Sequence, residues 1–156
     1  MSTILITGAS GGLAQEMVKL LPNDQLILLG RNREKLAQLY GNHPQAEFVE
    51  MDITDAQALE DLVAELYQRY GKIDVLINNA GYGIFEDFDK ISNQDIHQMF
   101  EVNTFALMNL SRLVASRMKE IRKGHIINIV SMAGLIATGK SSLYSATKFA
   151  AIGFSN

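Results

Sequence analysis

Of the five tyrosines in this chain of 156 residues, only Tyr144 has a lysine four positions on, Lys148. On a helix, residues i and i+4 share a face, so a phenol and an ammonium at this spacing lie one turn apart and can point at one bound group. With 8 lysines in the chain, chance alone would give such a pair roughly one time in four, so its weight comes from its surroundings. Ser131 follows an apolar run and precedes Tyr144 by thirteen residues, and Asn103 interrupts the otherwise apolar stretch FEVNTFALM. These residue types suit the reduction of a carbonyl by hydride, which leaves an alkoxide that must receive a proton. An unperturbed tyrosine, with a pKa of ~10, is a poor match to neutral pH. A unit positive charge ~4 Å away contributes ~4 kcal/mol at an effective dielectric of 20. That is an upper limit of about three pKa units at 1.36 kcal/mol each. Lys148 would supply the charge, and Ser131 would donate a hydrogen bond to the substrate oxygen as charge develops there. Taken singly, each residue also has an ordinary reading: a loop serine, a solvated lysine, an asparagine at a helix kink.

The elements that must position these groups follow from hydrophobic periodicity. Short apolar runs at 3–7, 25–30, 46–50, 73–78 and 125–130 read as strands. Several are apolar on both faces, as parallel strands covered by helices must be. Helical patterns lie at 12–21, 33–40, 55–70 and 100–122, and a last one carries Leu143, Ala146, Thr147, Ala150 and Phe154. In the 55–70 segment Leu59, Leu62, Val63 and Leu66 form one stripe, and Asp55 is placed to cap it. This alternation predicts a doubly wound α/β sheet with the first strand near its centre. The chain carries a net charge of −3, with no basic face of the kind nucleic acid requires. It has no cysteine, so disulfides, thiolate catalysis and Cys-bound zinc are excluded. His43, His97 and His125 are too scattered in sequence to suggest a metal site. With no secretory leader or membrane-length apolar run in this sequence, a cytoplasmic protein is expected.

ILITGASGGLAQEMVKLL is a strand, a glycine-rich turn and a helix. Gly8 permits the sharp turn, and Gly11 and Gly12 carry no Cβ to hold a phosphate away from the helix N-terminus, where backbone N–H groups and the dipole favour an anion. The run Thr7-Gly8-Ala9-Ser10-Gly11-Gly12-Leu13-Ala14 resembles the TGxxxGxG turn of the short-chain dehydrogenases/reductases. Ala14 replaces that pattern's last glycine, which serves close helix–strand packing. The same residues also read as GxxGxxA, similar to the longer epimerase and dehydratase branch, so the turn alone leaves the branch open. The segment INNAG at 77–81 resembles the strand end of the single-domain branch and favours it. Its Asn78 and Asn79 are expected to tie neighbouring strands together.

The resemblance implies a Rossmann-like dinucleotide-binding domain over 1–156, with Gly8, Ser10, Gly11, Gly12 and Leu13 around the cofactor. It places Asp52 at the adenine amino group with Ile53 beside it, and Asn79, Ala80 and Gly81 where the ribose approaches. Tyr144 and Lys148 would touch the cofactor as well as the chemistry, and Asn103 would anchor a water that relays protons to Lys148. Ser131 to Tyr144 is a separation typical of the family. NAD sites of this architecture use an acid about twenty residues past the turn. Here LLGRN offers none before Glu34, and Arg31 could pair with a 2′-phosphate. NADP(H) is therefore the expected cofactor, with NAD(H) the second choice and no metal. A small carbonyl or alcohol is the expected substrate, with Tyr82, Phe85, Met132 and Ile136 forming an apolar wall. No nucleic acid or membrane partner is expected.

The last helical pattern reaches Phe154 with no glycine or proline beyond it, and Asn156 is a weak cap. Members of the family continue through two further strands that complete the sheet, with segments that cover the substrate. The chain is thus expected to be part of a longer protein rather than a genuine short product, with the fifth strand an exposed apolar edge. Because the family's interfaces use the helices that carry Asn103 and Tyr144, a homo-oligomer is expected. The alternative to a reductase is a non-catalytic dinucleotide-binding module. General acid catalysis contributes 10²–10⁴-fold, so Tyr144→Phe should lower carbonyl reduction by at least about a hundredfold in steady-state assays; near-normal turnover would refute the assignment.

Overall fold

Strands β1 (Thr3–Ile6), β2 (Gln25–Gly30), β3 (Ala46–Glu50), β4 (Val75–Asn78) and β5 (His125–Asn128) alternate with helices in a computed structural model that describes residues 1–156. The helices are α1 (Gly12–Lys19), α2 (Arg33–Tyr40), α3 (Ala56–Tyr70), α4 (Asn93–Phe100), α5 (Ala106–Ile121) and α6 (Ser142–Ser155). All strand pairings are parallel, in the order β3-β2-β1-β4-β5, so β1 lies at the centre as expected. Successive strand side chains alternate faces. Leu5, Ile27, Leu29 and Leu76 therefore pack with α3 and α5 through Leu59, Leu62, Leu66, Leu110 and Val114. Ile4, Ile6, Leu26, Leu28 and Ile77 pack on the other side with Ala14, Val18, Leu36 and Tyr40 of α1 and α2. The result is the Rossmann-like three-layer arrangement of helices, sheet and helices.

Asp55 caps α3 as expected, its carboxylate accepting from Ala58 N at 3.0 Å, and Gly71 ends that helix with φ +75°. Elsewhere the boundaries move. The segment expected as one helix over 100–122 begins earlier, at Asn93, and is interrupted by a π-helical stretch, Glu101–Phe105, before α5. Its start is fixed by a capping box: Ser92 Oγ accepts from Asp95 N at 3.0 Å, and Asp95 Oδ2 accepts from Ser92 N at 3.4 Å. Such π-bulges collect at functional sites, and this one contains Asn103. Helix α1 closes at Lys19, short of Leu21, because the Leu20 and Leu21 N–H groups turn back to the Met17 and Val18 carbonyls, respectively, each at 3.0 Å. Strand β5 stops at Asn128 and forms one edge of the sheet, leaving Ile127 45% exposed, the apolar edge the sequence predicts. No helix is long and apolar enough to cross a membrane.

Candidate active site

At the end of β1 the chain turns at Gly8, with φ +61°. A Cβ there would lie 2.7 Å from Ala80 Cα, so the fold itself demands glycine. Gly12 is different, since a Cβ would meet nothing within 4 Å and packing does not require its small size. The first turn of α1 has no side-chain cap and no acid, whereas α2, α3 and α4 are capped by Asn32, Asp55 and Ser92. Uncapped N–H groups at a glycine-led helix start fit an anionic group. Ala14 is fully buried in the same core cluster as Ile6 and Ile77, filling the close-packing role of the glycine it replaces.

The turn is joined to the end of β4. Thr7 Oγ1 accepts from both Asn79 N and Ala80 N at 3.0 Å, and Asn79 Nδ2 donates to Gly8 O at 3.1 Å. Asn78 Nδ2 donates to Asn128 Oδ1 and to Ser111 Oγ, each at 2.9 Å, tying β4 to β5 and to α5. The asparagines therefore do the bridging that the sequence predicts. The double acceptor Thr7 was not among the expected site residues, although a threonine closing the first strand immediately before the glycine was its visible signal.

Between these segments opens a cleft of about 240 Å³ that brings together Gly8, Ser10, Arg31, Asp52, Ile53, Ala80 and Gly81, all expected cofactor residues. Gly30, Gln98 and Val102 also line it, and so does Tyr82, which places that side chain beside Arg31 rather than only on a substrate wall. Gly11, Gly12, Leu13 and Asn79 lie outside its lining. Arg31 is exposed and makes no ion pair. Asp52 Oδ1 accepts from Thr54 Oγ1 at 2.7 Å and from Thr54 N at 2.9 Å. Those bonds, with a smaller contribution from Arg31, hold its carboxyl below the ordinary carboxylate range and leave Oδ2 free of protein partners.

Asn103 is completely buried in the π stretch. Its Oδ1 accepts from Tyr82 N at 3.0 Å, and its Nδ2 donates to Tyr82 O at 2.8 Å and to Thr147 Oγ1 at 3.1 Å. The amide thus braces the loop after β4 against α6, and both its N–H groups are engaged by protein. A Cβ on Gly81 would lie 3.2 Å from both Asn103 Oδ1 and Lys148 Nζ, so the missing side chain at 81 makes room for these two groups. Lys148 is only 6% exposed, has no carboxylate partner, and makes one long hydrogen bond, to Ile129 O at 3.5 Å. Its ammonium, a triple donor, retains N–H groups for a ligand's hydroxyls, which fits the nicotinamide ribose of a dinucleotide. Lys148 Nζ stands 5.7 Å from the centroid of the Tyr144 ring. The exposed Phe85 packs edge-on against that ring at 5.3 Å. Ser131 Oγ accepts from Ala133 N at 3.1 Å and keeps its own proton for another acceptor. The turn after Ser131 rests on α6, where a Cβ on Gly134 would come within 3.0 Å of Lys148 O. Met132 and Ile136 are exposed.

This constellation accompanies a family match along nearly the whole chain: it belongs to the short-chain dehydrogenases, whose family model, described as short chain dehydrogenase, matches residues 2–156. It is 32% identical over 152 residues to a 3-ketodihydrosphingosine reductase of Bacteroides thetaiotaomicron, covering 97% of this chain and 55% of that protein. Among solved structures, a short-chain dehydrogenase from Streptomyces avermitilis superposes with a TM-score of 0.94 at 32% identity, covering 99% of this chain and 58% of that one. ElxO with NADP bound superposes with a TM-score of 0.90 at 27% identity, covering 97% and 64%. The chain spans about half the length of the curated relatives it matches.

Burial depresses the pKa of Lys148 below its ordinary value, so the native state releases this proton at a lower pH than the unfolded chain. The destabilisation from burying the charge is in full force below the native pKa and disappears as pH rises past the unfolded value of ~10.4. Lys148→Met should therefore be the more stable protein at pH 7, by on the order of 1 kcal/mol, with the advantage shrinking toward pH ~10. Urea unfolding at several pH values checks this, and a variant less stable than the native chain at pH 7 would contradict it.

Proposed function

We propose that residues 1–156 form the dinucleotide-binding and catalytic part of an NADP(H)-dependent oxidoreductase, which transfers hydride between the cofactor and a carbonyl or alcohol substrate. The observation that carries this reading is the buried, carboxylate-free Lys148, held beside Gly81 and one helical turn from Tyr144. The NADP bound to ElxO supports the choice of cofactor, and the reductase activity in the name of the Bacteroides relative supports the reaction class. When bound, the nicotinamide supplies or accepts the hydride. Arg31 pairs with the 2′-phosphate, Asp52 accepts from the adenine amino group next to Ile53, and the backbone from Ser10 to Leu13 binds phosphate and ribose oxygens. Asn79, Ala80 and Gly81 border the ribose, and the Lys148 ammonium holds its hydroxyls.

At the reacting centre Ser131 donates to the substrate oxygen, and Tyr144 delivers the proton in reduction or removes it in oxidation. Lys148 favours the phenolate that this exchange creates. Asn103 fixes the loop carrying Gly81 and Tyr82 against the helix carrying Tyr144 and Lys148. A water relaying protons to Lys148 would use the amide's remaining acceptor capacity or its backbone. Assembly as a homo-oligomer and a cytoplasmic location belong to the same reading. A non-catalytic nucleotide-binding role is the second reading for residues 1–156 taken alone, where Met132 and Ile136, beside the predicted reacting centre, are 77% and 62% exposed and do not by themselves close a wall around Tyr144. Binding of NADPH without turnover of any carbonyl would select that role.

Hydrogen bonds to charged groups contribute about 1.5–3 kcal/mol, or roughly 10- to 150-fold in affinity. Arg31→Ala should weaken NADPH binding within that range while changing NADH binding less than about twofold. Calorimetric titrations with both cofactors check this; equal losses for the two, or no loss for NADPH, would refute the assignment of Arg31.

A further inference from the structure

Tyr40, the last residue of α2, is 5% exposed, and burial raises the pKa of its phenol. Its hydroxyl donates to Ala9 O, inside the glycine turn, at 2.6 Å. Ala9 N donates in turn to Leu29 O at 2.9 Å, so both peptide groups of this fully buried alanine are anchored. In a planar trans peptide the C=O and the following N–H point in opposite directions. An Ala9 carbonyl drawn into the core therefore sends the Ser10 N–H outward. That N–H makes no hydrogen bond within the protein, and Ser10 lines the cleft together with Arg31 and Asp52. Ser10 O accepts from Gln15 Nε2 at 3.4 Å, which steadies the next peptide.

We infer that Tyr40 is a positioning residue for cofactor binding: through the Ala9 carbonyl it aims the Ser10 N–H into the cleft, as a donor to an oxygen of the adenosine ribose or of its 2′-phosphate. The inference rests on the nucleotide-binding reading above. Without the hydroxyl, the 9–10 peptide loses the bond that holds its orientation, although a phenylalanine fills nearly the same space. The donor is a backbone group, so no side-chain pattern marks it. Tyr40 itself lies thirty-one residues from Ala9, at the end of a segment read only as a helical pattern.

The experiment is a titration of wild type and Tyr40→Phe with NADPH, adenosine 2′-monophosphate and nicotinamide mononucleotide, with the Ser10 amide followed by ¹H–¹⁵N NMR in the wild type. Wild-type protein should show a downfield shift of the Ser10 amide proton with NADPH and with adenosine 2′-monophosphate, and none with nicotinamide mononucleotide. Tyr40→Phe should bind NADPH and adenosine 2′-monophosphate about tenfold more weakly. A Ser10 amide unmoved by either adenosine ligand would overturn the inference even if the variant fails to fold. So would Tyr40→Phe affinities equal to wild type, with the nucleotide-binding reading left standing. Wild-type protein that binds none of the three ligands would overturn both.

Discussion

The hydroxyl of Thr7 accepts two backbone N–H groups from the end of β4, and Gly8 leaves no room for a side chain against Ala80. The glycine turn and the loop after β4 are therefore locked together at the centre of the sheet. Everything at the site is referred to that junction. The cleft lies along it, with Arg31 and Asp52 arriving from the ends of β2 and β3. From its far side the loop runs through Gly81 and Tyr82 into the grip of Asn103. Asn103 reaches Thr147, and Thr147 Oγ1 donates to Tyr144 O at 2.7 Å, so a continuous chain of bonds runs from the first strand to the tyrosine.

A lysine buried without an acid is destabilising by itself. Its persistence at the end of that chain is the kind of local expense that functional sites carry. The surrounding framework holds it in place. Gly81 yields the space, Asn103 fills the remainder, and α6 is fixed by the Asn103 and Thr104 bonds to Thr147. Within the π stretch both Asn103 and Thr104 are buried and bond to Thr147.

Much of this was legible in the sequence because it was written in period and type. The five strands, the central position of β1, the Asp55 cap and the apolar stripe of α3 follow from alternation and capping chemistry that local residues determine. The cleft residues Gly8, Arg31, Asp52 and Gly81 were legible because glycine, arginine and aspartate stood just beyond strand ends. What was not legible depended on contacts distant in the chain. The junction at Thr7 joins residues more than seventy positions apart, and the Tyr40 phenol meets a backbone carbonyl that no residue pattern reveals. The break between α4 and α5 was missed for another reason. An apolar run through Phe100 looks continuous to a periodicity argument, and the serine–aspartate box at its true start lay outside the run.

On the function proposed above, this framework holds a nicotinamide dinucleotide with its ribose against Lys148. A direct measurement is the fluorescence of NADPH titrated with the purified chain, because enclosing the reduced ring changes its emission. Saturable binding at one site per chain, abolished by an excess of NADP⁺, is the expected result of that reading. Emission that stays at the value of free NADPH, with no saturation at millimolar protein, would contradict it.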